Sequence, residues 1–296
     1  MTVSLWGARI IRVYSHMGAN LMPKDLRAKG SAATAAILSL LIVIMVIATM
    51  YVFISKPSWS VIPAPITAVG ELIDHQYDYT LWVTGVVFVL SQLGLAYAIV
   101  RFRDRGQKAT FTRGNNTLEV LWTSATIILF VGLGLLGHKA WADTRFTPAE
   151  PDAIQVELTT NQFAFNFRYP GPDGKFGRID PKQISASSGN PLGIDASDPA
   201  GKDDIVTPTL TIPVNHQIEL VLHSQDVIHN FFVRELRLQQ DAVPGLAIPI
   251  HFTATQIGQY EIVCTQLCGL GHYHMRSVLI VVSDADYAAF LKQAGQ

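Results

Sequence analysis

Three long stretches without a charged side chain constrain the fold of this chain more than any other feature. They lie between Lys29 and Lys56, between Asp78 and Arg101, and between Glu119 and Lys139. A helix needs about 20 apolar residues to cross the hydrocarbon core of a bilayer, and each stretch approaches or exceeds that length. We therefore expect a membrane anchor over residues 33–139, with helices at about 33–55, 79–100 and 118–138.

The distribution of basic residues predicts the orientation of this anchor. Five precede the first stretch and five lie between the second and the third, namely Arg9, Arg12, Lys24, Arg27 and Lys29, then Arg101, Arg103, Arg105, Lys108 and Arg113. The positive-inside rule makes residues 1–32 a cytoplasmic segment and places the chain after residue 139 outside. A signal peptide is the alternative for the first stretch, but its apolar core is too long and no small-x-small cleavage site follows, so we expect it to be retained.

The composition agrees with a membrane protein. Of the 296 residues, 49% are hydrophobic and 15% are charged, which is too apolar for an ordinary soluble domain of this size. The net charge of −1 argues against a nucleic-acid partner. We expect a multi-pass protein of a bacterial inner membrane, in contact with membrane lipid, with its C-terminal half on the periplasmic side.

The pattern after residue 139 changes to short β-rich runs. Examples are "AIQVELTT", "FAFNFRY", "TLTIPV", "QIELVLH", "IHNFFVR", "YEIVCT" and "RSVLIVV", most of them separated by Pro, Gly and Asn. This pattern predicts a β-sandwich or barrel over residues 140–296. Residues 171–204, rich in Gly, Pro, Ser and Asp, form an insertion that we expect to be a long surface loop, either an interaction surface or a solvated segment. We expect a terminal helix capped by Ser283, with Tyr287, Phe290 and Leu291 on one face.

The segment "CTQLCGLGHYHM", residues 264–275, contains both cysteines of the chain and is called the ligand loop below. It offers the side chains of Cys264, Cys268, His272 and Met275 to one point. Thiolate, thioether and imidazole suit copper or zinc rather than a hard cation. A closed site needs a ligand from another side, and we expect His229 to supply it from the end of a neighbouring strand. His216, His223, His251 and His274 are expected to be surface residues.

Two other interpretations of these residues are open. Two cysteines in an oxidising compartment often form a disulfide, and two cysteines with two histidines can bind structural zinc. Met275 counts against zinc.

Three segments together resemble subunit II of haem-copper cytochrome c oxidase: "DVIHNFFV", "QDAVPG" and the pattern Cys-x-x-x-Cys-Gly-x-x-His-x-x-Met. The resemblance covers the last two helices and the extramembrane domain. It implies a membrane-anchored Greek-key cupredoxin sandwich with a dinuclear copper centre, CuA. In this centre Cys264 and Cys268 bridge the two copper ions, His229 and His272 bind one ion each, Met275 is a weak ligand, and the carbonyl of Gln266 completes the set.

The resemblance implies the electron-input subunit of a proton-pumping terminal oxidase. Its partners would be subunit I, which contains haem, further oxidase subunits, and cytochrome c or a quinol-oxidising donor complex. A CuA subunit of a nitric oxide reductase and a non-enzymatic membrane copper-binding protein are the alternatives. A quinol oxidase subunit lacks these ligands.

The chain departs from the family pattern at three points. Gln266 replaces a Glu that binds magnesium at the subunit I interface, and because magnesium prefers a carboxylate, that ion is doubtful here. Phe163 replaces the Trp at which electrons enter, so it is a candidate for electron input; alternatively, Phe163, Phe165 and Phe167 form one buried face of a strand. The first helix is additional to the usual two.

Glu119 matches an acidic residue near a proton path and is either a proton-uptake residue or a carboxylate at a helix end.

Overall fold

The computed structural model of the chain describes residues 24–55, 62–108, 111 and 113–295. Within these ranges the α-helices are α1 (Lys24–Ser55), α2 (Ala68–Arg101), α3 (Asn116–Arg145) and α4 (Asp284–Ala294). The strands are β1 (Ile154–Asn161), β2 (Ala164–Tyr169), β3 (Ile205–Thr207), β4 (Leu210–Pro213), β5 (Gln217–Ser224), β6 (His229–Val233), β7 (Leu238–Ala242), β8 (Ile248–Thr253), β9 (Gly258–Val263) and β10 (Arg276–Val282). Most of the predicted cytoplasmic segment, residues 1–23, lies outside the described residues.

The chain divides into two compact units. The first comprises Met1–Val61 and Tyr79–Ile128, and the second comprises Ile62–Asp78 and Leu129–Gln296. Three segments are long and apolar enough to cross a membrane, Ala28–Ser55, Ala68–Arg101 and Asn116–Ala142.

The helices of the first unit present apolar side chains on their surface. Ile47, Leu90 and Ile128 are 63%, 65% and 70% exposed, as expected for side chains that face lipid or other membrane helices. The first two helices contact each other. The hydroxyl of Ser39 donates a hydrogen bond to the carbonyl of Ala96 at 3.1 Å, and the rings of Phe53 and Trp82 meet edge to face at 4.9 Å.

The second unit is a β-sandwich of two five-stranded sheets, in the orders β3-β2-β1-β5-β8 and β4-β10-β9-β6-β7. Strand β5 shows why the sheets pack: Ile218, Leu220 and Leu222 alternate with less buried residues and are fully buried. Their partners across the core include Phe231 of β6 and Leu279 of β10, from the other sheet. The predicted sandwich is therefore confirmed.

The terminal helix α4 closes one end of the core. Ser283 caps it, because its hydroxyl accepts a hydrogen bond from the backbone N–H of Asp286. Tyr287, Phe290 and Leu291 pack against the core, as the sequence predicts. The ring of Phe290 meets Tyr169 edge to face at 5.5 Å.

The segment that leads into α2 belongs to the sandwich unit rather than to the anchor alone. Ile66 is 2% exposed and lies in the sandwich core. Its N–H donates to the carbonyl of Glu235 at 2.9 Å, and its carbonyl accepts from the N–H of Thr255 at 2.8 Å. Arg237 also pairs with Asp74 in the first turns of α2 at 2.7 Å. Helix α2 thus begins on the sandwich, ahead of its apolar stretch.

Arg168 attaches the insertion to the sandwich. Its guanidinium is almost fully buried, and it donates to Glu157 at 3.0 Å, to Asp204 at 3.0 Å from Nε, and to the carbonyl of Gly177. It also lies over the ring of Phe176, 5.0 Å from the centroid. Both ends of the insertion are therefore held by one buried cation.

The interior of the insertion is ordered by short local hydrogen bonds. It contains three single-turn helices, at Pro181–Gln183, Ala186–Ser188 and Pro199–Gly201, each capped by the preceding Asp or Ser side chain. Leu192 is 1% exposed and anchors the middle of the segment.

Candidate metal centre

The ligand loop connects β9 to β10 and is closed by its own backbone. The N–H of Cys264 donates to the carbonyl of Met275 at 3.2 Å, so the two ends of the loop stay paired. Gly269 has a φ of +139°, a conformation that favours glycine. The N–H of His272 then donates to the carbonyl of Gly269 at 3.1 Å and starts a single helical turn, His272–His274. These bonds direct the cysteine, histidine and methionine side chains inward.

The two thiols form the middle of the site. Cys264 and Cys268 are 7% and 4% exposed, both are free, and their sulfur atoms are 3.9 Å apart. A disulfide requires about 2.05 Å between sulfurs, so the two cysteines are unbonded here and offer two separate donor atoms.

Three further donor atoms surround these sulfurs. The carbonyl oxygen of Gln266 is 3.2 Å from the sulfur of Cys264. On the other side, Nδ1 of His272 is 3.5 Å and the thioether sulfur of Met275 is 3.8 Å from the sulfur of Cys268. The loop therefore directs its four predicted side-chain donors toward one small volume. The predicted carbonyl, that of Gln266, faces the same volume.

His229 approaches the thiols from β6. The side chain is completely buried, and one of its ring nitrogens lies with the two cysteine sulfurs in a group whose members are all within 4.8 Å of one another. Its Nδ1 is buried without a hydrogen-bond partner. A buried unpaired imidazole nitrogen beside two thiols fits a metal ligand. The expectation that His229 ends a strand is wrong: it begins β6, because the chain turns at Asp226 and Val227 just before it.

Asp226 fixes the orientation of that imidazole, and sequence reasoning missed it. Its Oδ1 is 2.8 Å from Nε2 of His229, and its Oδ2 accepts from the backbone N–H of Gln162 at 2.7 Å. Desolvation alone would raise the pKa of Asp226, but the hydrogen bonds from His229, Val227 and Gln162 outweigh it and lower the pKa. The ionised carboxylate keeps the proton on Nε2, which leaves Nδ1 free to bind a metal. An Asp three residues before a His is the signal that could have identified it.

The electrostatics of the thiols favours metal binding over free thiolates. Burial, and then the neighbouring thiol of Cys264, raise the pKa of Cys268 to about 11. Without a metal the thiol of Cys268 is thus protonated at neutral pH. Because metals bind thiolates, the positive charge of the ion must stabilise the deprotonated form, and binding releases protons.

Phe163 lies over the ligand loop. It is in the turn between β1 and β2, outside the strand that contains the buried Phe165 and Phe167, and it is 37% exposed. A Cβ at Gly271 would collide with its ring. The neighbouring Gln162 side chain donates to the carbonyl of Cys268 at 2.6 Å. An aromatic surface therefore covers the ligand loop at Gly269 and Gly271 on one side and reaches solvent on the other.

The remaining predicted residues lie elsewhere. Glu119 belongs to the first compact unit, where it is exposed in the first turn of α3. His216 is 3.0 Å from Asp284, and His251 contacts the carbonyl of Thr147 at 2.7 Å. His274 is exposed, as predicted, while His223 and His251 are half-buried rather than fully at the surface.

Comparison with known proteins identifies the family. The family model for cytochrome C oxidase subunit II, periplasmic domain, matches residues 202–283, and the model for its transmembrane domain matches residues 66–137. The alternative cytochrome c oxidase subunit 2 of Bradyrhizobium diazoefficiens is 33% identical over 258 residues, which cover 86% of this chain and 91% of that protein.

Two further similar proteins are also described as subunit 2 or subunit II of a cytochrome oxidase. Cytochrome c oxidase subunit 2 of Cereibacter sphaeroides is 29% identical over 231 residues, covering 74% of this chain and 75% of that protein. The crystal structure of the periplasmic domain of subunit II of cytochrome oxidase from Bradyrhizobium japonicum covers 50% of this chain and 96% of its own, with 26% identity and a TM-score of 0.37. The two matched domains, and the identity over most of both chains with the first relative, show that this chain belongs to the cytochrome c oxidase subunit II family.

Proposed function

We propose that the chain holds a dinuclear copper centre of the CuA type and is the electron-input subunit of a haem-copper terminal oxidase. Cys264 and Cys268 would bridge the two ions, with His229, His272 and Met275 as side-chain ligands and the carbonyl of Gln266 as the sixth donor. Bound there, the centre supplies one-electron transfer between an external donor and haem in subunit I.

The observation that carries this proposal is the pair of thiols with donors on both sides. The sulfurs are 3.9 Å apart, with the buried, unpaired Nδ1 of His229 nearby and Nδ1 of His272 3.5 Å from Cys268. Thiolate, imidazole and thioether together favour copper, whereas structural zinc is typically held by Cys and His alone. These donors are all directed inward, so a metal held by them would be enclosed by ligands from the protein. This is the chemistry of electron transfer rather than of catalysis on a bound molecule.

The direction of electron input is supported by Phe163. Its ring covers the ligand loop at Gly271 and remains partly exposed, so it offers a donor an aromatic contact directly above the ligands. We propose that cytochrome c or a docked donor complex contacts this surface and that the His272 side of the loop leads toward subunit I. Glu119 remains a proposed proton-uptake residue. Gln266 is exposed and uncharged, so a magnesium ion bound through its side chain is not part of the proposal.

Titration of the purified full-length chain with copper and zinc tests the metal assignment. We expect two copper ions per chain, taken up with loss of both free thiols in a thiol assay, and no stoichiometric zinc in competition. Uptake of one copper, or of one zinc ion that copper does not displace, would refute the dinuclear proposal. His229→Ala is the matched variant: it removes one ligand and leaves both thiols.

A further inference from the structure

A chain of hydrogen bonds joins the ligand loop to the two strands beside it. The hydroxyl of Thr265, between Cys264 and Gln266, donates to the side-chain carbonyl of Asn230 at 2.6 Å. The amide nitrogen of Asn230 donates to a carboxylate oxygen of Asp241 at 2.6 Å. Asn230 follows the candidate ligand His229 in β6, and Asp241 is its cross-strand partner in β7.

The direction of every bond in this chain follows from one group. Oδ1 of Asp241 accepts from the amide nitrogen of Asn230, so the NH₂ end of the Asn230 amide faces Asp241. The carbonyl end of Asn230 then faces Thr265, whose hydroxyl has to donate. Because that hydroxyl still has lone pairs, it can accept the bond that Gln239 donates at 3.1 Å. Each of the four side chains has one compatible orientation.

Burial makes this arrangement rigid. Asn230 is 2% exposed, and a buried amide without partners is costly, so Thr265 and Asp241 are held in place by the need to satisfy it. The chain of bonds continues toward the end of α3: Arg145 donates to the carbonyl of Gln239 at 2.8 Å and to the side chain of Gln240 at 2.6 Å. Strand β7 is thereby tied to the last turn of a helix that enters the membrane.

We infer that Asn230 and Thr265 are positioning residues for the metal centre. They hold the Cys264–Gln266 end of the ligand loop at a fixed distance from His229, so that ligands from two strands stay in register when the metal changes its charge. This inference rests on the proposed copper site. Neither residue touches the metal itself: Thr265 acts through its two neighbours in sequence, and Asn230 acts through Thr265.

Two substitutions of Thr265 separate positioning from folding. Thr265→Val keeps the shape and removes the hydroxyl, whereas Thr265→Ser keeps the hydroxyl. Outer partners of metal ligands typically contribute about 10- to 100-fold to metal affinity, so we expect Thr265→Val to lose copper to a competing chelator about 10- to 100-fold more readily than the wild type. Thr265→Ser should retain copper like the wild type. The metal-free Thr265→Val variant should melt somewhat below Thr265→Ser, because the buried carbonyl of Asn230 loses its donor, and both variants should be folded at the temperature of the chelator assay.

The variant Asn230→Ala provides a second, independent test of the positioning role. If Asn230 acts through Thr265, the two substitutions should not add up. The double variant Asn230→Ala with Thr265→Val should then lose copper no more readily than whichever single variant binds copper less tightly. The copper resonance spectrum of each variant serves as a second measurement, and we expect a changed hyperfine pattern in Thr265→Val and an unchanged one in Thr265→Ser.

The outcomes distinguish this inference from the copper proposal. If the wild-type chain does not take up two copper ions, the copper proposal itself fails. If it does, but Thr265→Val holds copper as tightly as Thr265→Ser with an identical spectrum, the positioning role is wrong. Equal weakening by Val and Ser would also overturn it, because the hydroxyl would then be irrelevant.

Discussion

The ligand loop and the insertion are both long, glycine-containing connections of the same sandwich, yet they are ordered by opposite means. The ligand loop has no charged residue between Cys264 and Met275, and it is held by backbone pairing, glycine geometry and inward-facing donors. The insertion contains six Asp and four Lys or Arg, and it is held by the buried Arg168 and by side-chain caps. The comparison teaches that the candidate metal site is built from converging soft donors on an uncharged loop, whereas the insertion is ordered by a buried cation, side-chain caps and one buried leucine.

Substitutions in the ligand loop are expected to have the largest effect on copper binding. Cys264→Ser or Cys268→Ser should abolish the copper centre, because a hydroxyl cannot replace a bridging thiolate. Met275→Leu should retain copper with an altered reduction potential, since a thioether is a weak ligand. Metal analysis and redox titration of the three variants check this ranking. A normal copper spectrum in Cys268→Ser would show that the bridge is assigned incorrectly.

The second effect concerns the insertion as a docking surface. Deleting residues 178–202 leaves Gly177, Asp204 and therefore the contacts of Arg168 in the chain. We expect the deletion to abolish oxygen consumption driven by the native donor while the copper spectrum stays unchanged. A donor held in a stable assembly should also give turnover that depends weakly on ionic strength, since steering between separate charged proteins is screened over about 10 Å at 0.1 M salt.

Oxygen consumption by membranes across a salt series tests both parts of that prediction. Strong inhibition by salt, together with full activity of the deletion, would show that a soluble donor docks elsewhere and that the insertion is a solvated segment.

The third effect is on stability. Arg168→Met would leave Asp204 and Glu157 without their cation. Breaking a buried ion pair costs about 3–5 kcal/mol, which corresponds to a fall in melting temperature on the order of 10 °C for a domain of this size. Arg178→Met is the matched control, because Arg178 pairs with Asp195 at 3.0 Å but is 72% exposed. Thermal melts of the two variants should differ clearly; equal melting temperatures would mean that the buried pair does not hold the insertion.

The smallest effect is a loosening of the insertion in acid. Hydrogen bonds from the hydroxyl and N–H of Ser197 lower the pKa of Asp195, and backbone N–H groups of Arg178 and Ala200 lower that of Asp198. Since these folded-state pKa values lie below the ordinary value of about 3.9, their contribution is present at neutral pH and is lost as the pH falls through the lowered values. Hydrogen exchange should therefore increase in the insertion at a higher pH than in β5. Simultaneous loss of protection in both would contradict local control by these carboxylates.

The sequence predicted the parts of the fold with a strong local signal. The apolar stretches, the alternating strands such as β5 and the cap at Ser283 are each visible within one window. The strands that were not among those predicted, β3, β7 and β8, all lie at sheet edges. Two of these strands have weak sequence patterns, because β7 reads "LQQDA" and β8 carries Pro249.

The site was predictable where residue type carries the chemistry, and not where only tertiary contact does. Cysteine, histidine and methionine in one short loop point to a soft metal without a structure. Asn230 and Thr265 are common polar residues whose contact appears only when two segments far apart in sequence meet. Ile66 is similar: its partners, Glu235 and Thr255, are 169 and 189 residues away. No local pattern predicts such a contact. Asp226 is different, because its position three residues before His229 is a local signal.

Electron paramagnetic resonance of the oxidised, copper-loaded full-length chain tests the dinuclear site most directly. Two equivalent thiolate bridges should delocalise one unpaired electron equally over both copper nuclei, and we expect the hyperfine pattern of two identical nuclei from a purple protein. The pattern of a single copper nucleus, or a silent spectrum from a chain that contains stoichiometric zinc, would contradict the assignment of Cys264 and Cys268 as bridging ligands.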